Sequence, residues 1–227
     1  MTPLDWPLDL RPVEQVFHVR TQTAQTPSAL SGAGAVLARR GEHWLAEMVL
    51  EPTQGRLPMI EALLAQHRGG AVEVLLPDFA RLAGHGSLAS FDQFAAGIGV
   101  TRFDDGTGFT DGTAFIEGAG TPQIAGGCGQ RLVLTGCRPG TNDVLAAGDL
   151  IQTSPGRGHL IVTSGITSSD GMVVVEVAPT LRRPPLPGTP VTAGCKILMR
   201  MIGGEALANP TAPFLRSRYR LSFVEAP

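Results

Sequence analysis

The residues best equipped for chemistry lie in "DDGTGFTDG", residues 104–112. Asp104, Asp105 and Asp111 place three carboxylates beside turn-forming glycines, the oxygen donors a calcium ion takes. The helix–loop–helix frame and closing glutamate of an EF-hand are missing, and so is the nonapeptide repeat of calcium β-rolls. Asp-Gly is also the ordinary chemistry of a tight turn. The stretch is read as turns, with no metal and no cofactor expected.

The other reactive side chains are dispersed. His18, His43, His67, His85 and His159 show no metal-ligand spacing with Cys, Asp or Glu, although His18 and His43 fall on neighbouring strands that could bring them together. Cys128, Cys137 and Cys195 are odd in number and lack a C-x-x-C pair, so they fit reduced thiols better than a disulfide framework or a zinc site. Arginines in glycine turns, "SPGRGHL" and "CRPG", could touch an anion but read as solvated turns. There is no G-x-S-x-G, H-E-x-x-H, Walker loop or Rossmann fingerprint. Nothing in this set earns a catalytic role, and an enzyme is not expected.

Bulk composition narrows the class. Charged residues are 17%, below the usual quarter, which suggests that protein rather than water covers part of the surface. A net charge of −2 gives no case for nucleic-acid recognition, which needs a basic excess. Lys196 is the only lysine and the other seventeen basic residues are arginine. Genome composition accounts for that bias, and arginine also suits buried subunit contacts better than lysine. No signal peptide and no membrane span are expected, because no basic-then-apolar leader and no apolar run of 18 residues occurs.

The elements that would position these groups are mostly strands. The 29 glycines and 18 prolines favour short strands and turns. Residues 1–12 read as an extended arm. "VEQVFHVRTQTAQT" alternates as a strand, and "SALSGAGAVLARRG" turns into the next one. In "RRGEHWLAEMVLEP", Trp44, Ala46, Met48 and Leu50 alternate against His43, Leu45, Glu47 and Val49. The second face is mixed, and something must cover its apolar half. Residues 55–70 are the one helix, with Leu57, Ile60, Leu63 and Leu64 as its stripe and Gly69–Gly70 at its end. "AVEVLLPDF" is a strand closed by proline.

Residues 81–130 change texture and form a Gly/Phe-rich ribbon or loop. Phe103, Phe109 and Phe115 recur every sixth residue, an even period that lets the rings share one face. Residues 131–196 hold short β-rich runs, among them "TPVTAGCKILMRMI", and suit a small all-β domain. The tail "PFLRSRYRLSFVEAP" alternates Tyr219, Leu221 and Phe223 against Arg216, Arg218, Arg220 and Ser222. This last strand is expected to rejoin the first sheet. The organisation is then residues 1–80 with 197–227 as one domain, into which 131–196 is inserted.

Taken in order, these stretches resemble the distal-tail and minor-tail proteins of long-tailed bacteriophages and prophages. "WPLDLRP", "LSGAGAVLARRGEHWLAEMVLEP", "FDDGTGFTDGTAF" and "APTLRRPPLPGTPV" carry the resemblance over nearly the whole chain. It implies a mainly β (α+β) fold: a tail-tube-like β-sandwich with one flanking helix, plus an inserted small β-barrel or sandwich. It implies a virion protein of the tail tip, made in the host cytoplasm and closed into a ring, usually of six copies. Its partners would be itself, the tail tube protein, the tail-tip hub protein and the tape measure protein. A neighbouring subunit would then cover the mixed face. The candidate interface residues are Leu45, Val49, Phe103, Phe109, Phe115, Arg216, Arg218 and Arg220. The alternative is a binding module holding a host-surface glycan in 131–196, although Trp6, Trp44 and Tyr219, the residues able to stack on sugars, all lie outside that segment.

Overall fold

A computed structural model describes residues 2–26, 35–51, 54–67, 70–82, 122–137, 140, 142, 144–202 and 218–226. Among the described residues the chain is mainly β with one α-helix, and it divides into two compact units, Met1–Ala80 with Lys196–Pro227, and Arg81–Cys195. No helix among the described residues is long and apolar enough to cross a membrane.

Among the described residues the first unit forms a six-stranded sheet. Its strands are β1 (Leu4–Asp5), β2 (Glu14–Thr26), β3 (Ala35–Leu50), β4 (Val74–Pro77), β10 (Lys196–Ile202) and β11 (Tyr219–Glu225), in the order β1-β4-β10-β11-β3-β2. Only the β1–β4 pair is parallel. Period-2 alternation puts one side of each strand inward. Leu50 lies opposite Tyr219, Met48 opposite Leu221 and Ala46 opposite Phe223, and all six are buried. Trp44 is fully buried with Phe17 edge-on at 5.4 Å, and Trp6 meets Phe223 edge-on at 6.1 Å. The indole Nε1 of Trp6 donates to the Leu10 carbonyl, which satisfies its one donor inside the core.

Helix α1 (Leu57–His67) follows a short 3-10 turn, Gln54–Arg56. Ile60, Leu63 and Leu64 are buried along the anticipated stripe, while Leu57 is only half-buried. The stripe runs one turn further than hydrophobicity indicates, to His67, whose ring rests against Phe223. The helix therefore lies on the apolar side of the sheet.

The second unit contains β5 (Gln123–Thr135), β6 (Leu150–Ser154), β7 (Arg157–Thr163), β8 (Val173–Leu181) and β9 (Thr192–Ala193), ordered β5-β8-β7-β6-β9. The sheet curls until its two ends meet. Gln123 bridges Pro190, Ile124 N–H donates to Thr189 O, and Val191 N–H donates to Pro122 O. Ile124, Leu132, Leu134, Ile151, Ile161, Val175 and Val191 fill the interior.

Two readings need correction. Strand β5 begins inside the expected 81–130 ribbon, because the glycine-rich run at 126–129 is strand. Glycine is needed there for close approach: a Cβ on Gly127 would sit 2.9 Å from Arg131 O and 2.8 Å from a Leu181 methyl. The run "TPVTAGCKILMRMI" is not one strand. It breaks at Gly194, where φ is +69°, and its halves β9 and β10 belong to different sheets. Residues 104–112, Phe103, Phe109, Phe115, His85 and Arg216 lie outside the described residues.

Candidate interaction face of the first sheet

The other side of the first sheet does not follow the usual polar alternation. Antiparallel register aligns its side chains in rows. One row runs Glu14, Val49, Arg220; the next Val16, Glu47, Ser222, Ile202; the third His18, Leu45, Val224, Arg200. Each row mixes branched apolar side chains with charged or polar ones. Val16 is 56% exposed and Ile202 49%, whereas Val49 is buried and Leu45 half-buried.

Arginines hold the two ends of this face. Arg218, just before β11, donates from Nη2 to Glu14 Oε1 at 2.8 Å and places Nε 3.5 Å from Glu51 Oε1. Arg200 donates from Nη2 to Glu73 Oε1 at 3.0 Å. Such exposed pairs contribute little to stability, about 0–1 kcal/mol each. Their effect is to keep planar guanidinium forks at defined places. Val49, Arg218 and Arg220 line a shallow cavity of about 280 Å³. Val49 gives it an apolar floor, and the two arginines put multidentate donors at its rim.

Of the sequence-derived candidates, Leu45, Val49 and Arg220 share this face and Arg218 borders it. Glu14, Val16, Arg200 and Ile202 complete it, and none was singled out beforehand. Val16 carried a signal, an apolar residue out of step with the buried side of its strand. Ile202 carried none, because the neighbour it meets across the sheet lies elsewhere in the chain.

The first sheet also contains a ribbon. Strand β3 pairs with β11 only over Leu45–Leu50, whereas its pairing with β2 continues to Thr26 opposite Ala35, past a register shift between Arg20 and Gln22. Beyond that region β2 and β3 pair with no third strand among the described residues, for roughly 20–25 Å of chain at the usual strand rise.

Other groups with chemical potential are in structural positions. His18 and His43 both lie on the mixed face but are not opposed, His18 facing Leu45 and His43 facing Arg20. His159 Nδ1 is 2.7 Å from Pro179 O in the second unit. Burial pushes the Cys137 thiol above its ordinary range. No group of three or more His, Cys, Asp or Glu among the described residues is arranged to hold a metal ion. Compared with known proteins, the sequence matches no family model and no curated protein.

Proposed function

We propose that this chain is a structural protein of a phage tail tip, closing with copies of itself into a ring that connects the tail tube to the hub. The observation that carries the reading is the β2–β3 ribbon. A two-stranded ribbon alone is marginal in water, and one extended past its parent sheet favours a binding partner along its length. The mixed face supports the same reading, since Val16, Leu45 and Ile202 beside Arg220 have the composition of a subunit contact. A ring contact is heterologous, so two different patches of each copy meet, and ribbon and face supply two. The tail tube, hub and tape measure proteins are the neighbours in this proposal, the work of the chain is geometric, and the tail tip is its place in the virion.

Native mass spectrometry over a concentration series tests the reading. A closed hexamer, or a trimer and hexamer growing in with concentration, is the expected result. A chain that stays monomeric at high concentration, and that also adds no ring to purified tail tubes, overturns it.

A further inference from the structure

The connection after β8 is rich in proline. Residues 182–187 read Arg-Arg-Pro-Pro-Leu-Pro, and no acidic residue occurs between Leu181 and Cys195. Leu186 is 77% exposed, more than any other large apolar side chain among the described residues. A loose loop could expose a leucine by accident. This one is stiff.

Prolines 184, 185 and 187 fix their own φ, and Arg183, Pro184 and Leu186 are each held extended by the proline that follows. Pro187 and Gly188 then make a turn that requires a positive φ, +81° at Gly188. Thr189 closes it, donating to Leu186 O from its hydroxyl at 2.7 Å and from its N–H at 3.3 Å. Gly188 N–H donates to Ile124 O at 2.8 Å, and Ile124 N–H donates to Thr189 O at 2.9 Å, so the loop is fastened to β5.

A run of this kind has three residues per turn. Arg183 and Leu186 then share one edge, Pro184 and Pro187 a second, and Pro185 the third. Within the run Pro185 is buried while Arg183, Pro184, Leu186 and Pro187 are exposed, so the side carrying Pro185 packs against the protein and the rest of the proline-stiffened ridge faces outward. Grooves lined by aromatic rings bind such ridges because little conformational entropy remains to be lost.

We propose that residues 183–187 are a docking ridge for a partner protein that presents an aromatic-lined groove with carboxylates at its rim. Leu186 and the Pro184/Pro187 edge fill the groove, and Arg183 meets the carboxylates. The ridge lies wholly within the second unit, so this proposal goes beyond ring assembly and does not depend on it.

The probe is an isotope-labelled WW domain of the class that takes Pro-Pro-Leu-Pro peptides, titrated with the full chain and followed by NMR. Saturable shifts confined to its aromatic groove are expected. Leu186→Ala and Pro184→Ala each weaken binding at least about tenfold, the loss typical of a central anchor. Ile166→Ala, which removes a side chain 74% exposed elsewhere in the same unit, leaves it unchanged. Absence of shifts up to about 1 mM, the limit of weak association, overturns the proposal. So does binding that Leu186→Ala leaves intact or that Ile166→Ala weakens equally. A chain that stays monomeric, adds no ring to purified tail tubes and still binds the groove would defeat the ring reading and leave the ridge standing.

Discussion

The His67 ring lies 6.2 Å from the Phe223 ring, tilted by 54°, and neither imidazole nitrogen has a hydrogen-bond partner. The histidine ends the apolar stripe of α1 and acts there as a flat core residue. Desolvation lowers its pKa below the ordinary 6.5, only partly offset by its own backbone. The unfolded chain therefore takes up a proton that the folded chain refuses. Stability from neutral His67 is complete above about pH 6.5 and is lost as pH falls below it toward the depressed folded value. Urea midpoints at pH 7.5 and 5.5 should fall further for the wild type than for His67→Leu. Parallel falls would place the acid sensitivity elsewhere.

Tyr219 has the same defect in a milder form. Its hydroxyl is buried without a partner, and burial, with Glu61 adding to it, raises its pKa. An unsatisfied buried group costs about 1–3 kcal/mol. Tyr219→Phe keeps the ring against the core and removes that cost. We expect the variant to be more stable than the wild type, by up to about 3 kcal/mol on the same scale. A loss of stability in urea unfolding would mean the hydroxyl has a partner, such as a bound water.

Two glycines with the same backbone sign should respond very differently to alanine. Gly194 has φ +69°, and a Cβ there would stand 2.0 Å from Leu82 O. Gly129 has φ +62° with nothing within 4 Å. Gly129→Ala should cost about 1–2 kcal/mol, the left-handed penalty alone. Gly194→Ala adds backbone displacement and should exceed about 4 kcal/mol, or prevent folding of the second unit. Equal costs in thermal unfolding would contradict the close approach.

These sites show what a sequence reveals and what it hides. The helix at 57–67 was legible, because Ile60, Leu63 and Leu64 repeat at helical spacing. The continuation to His67 was not, since histidine reads as polar until a covering ring is known. The two faces of β3 were legible from alternation, but the partner of each face was not. Met48 meets Leu221, and period-2 patterning carries no information about a neighbour so far away in the chain. The break at Gly194 was hidden for a related reason: the hydrophobic run continues through it, and only the approach of Leu82 shows why the chain turns. For the candidate face, Leu45 and Val49 could be nominated from one strand, whereas Ile202 became visible only with the register of β10 against β11.

Arg220 separates folding from assembly. It faces Val49 across the β3–β11 pair, is exposed, and borders the shallow cavity. A surface substitution of this kind changes stability by less than about 0.5 kcal/mol. Arg220→Glu should therefore unfold in urea with the wild-type midpoint. At a subunit contact the same change places a carboxylate where the neighbouring copy expects a guanidinium, and Glu14 and Glu47 already supply negative charge nearby. Reversal should raise the concentration needed for ring formation at least about tenfold, the effect of losing a central arginine anchor. The measurement is the native mass of wild type and variant at matched concentrations. If Arg220→Glu assembles as the wild type does, this face is not the contact, and the β2–β3 ribbon must meet another surface. If it loses assembly together with its urea midpoint, Arg220 acts in folding rather than between copies.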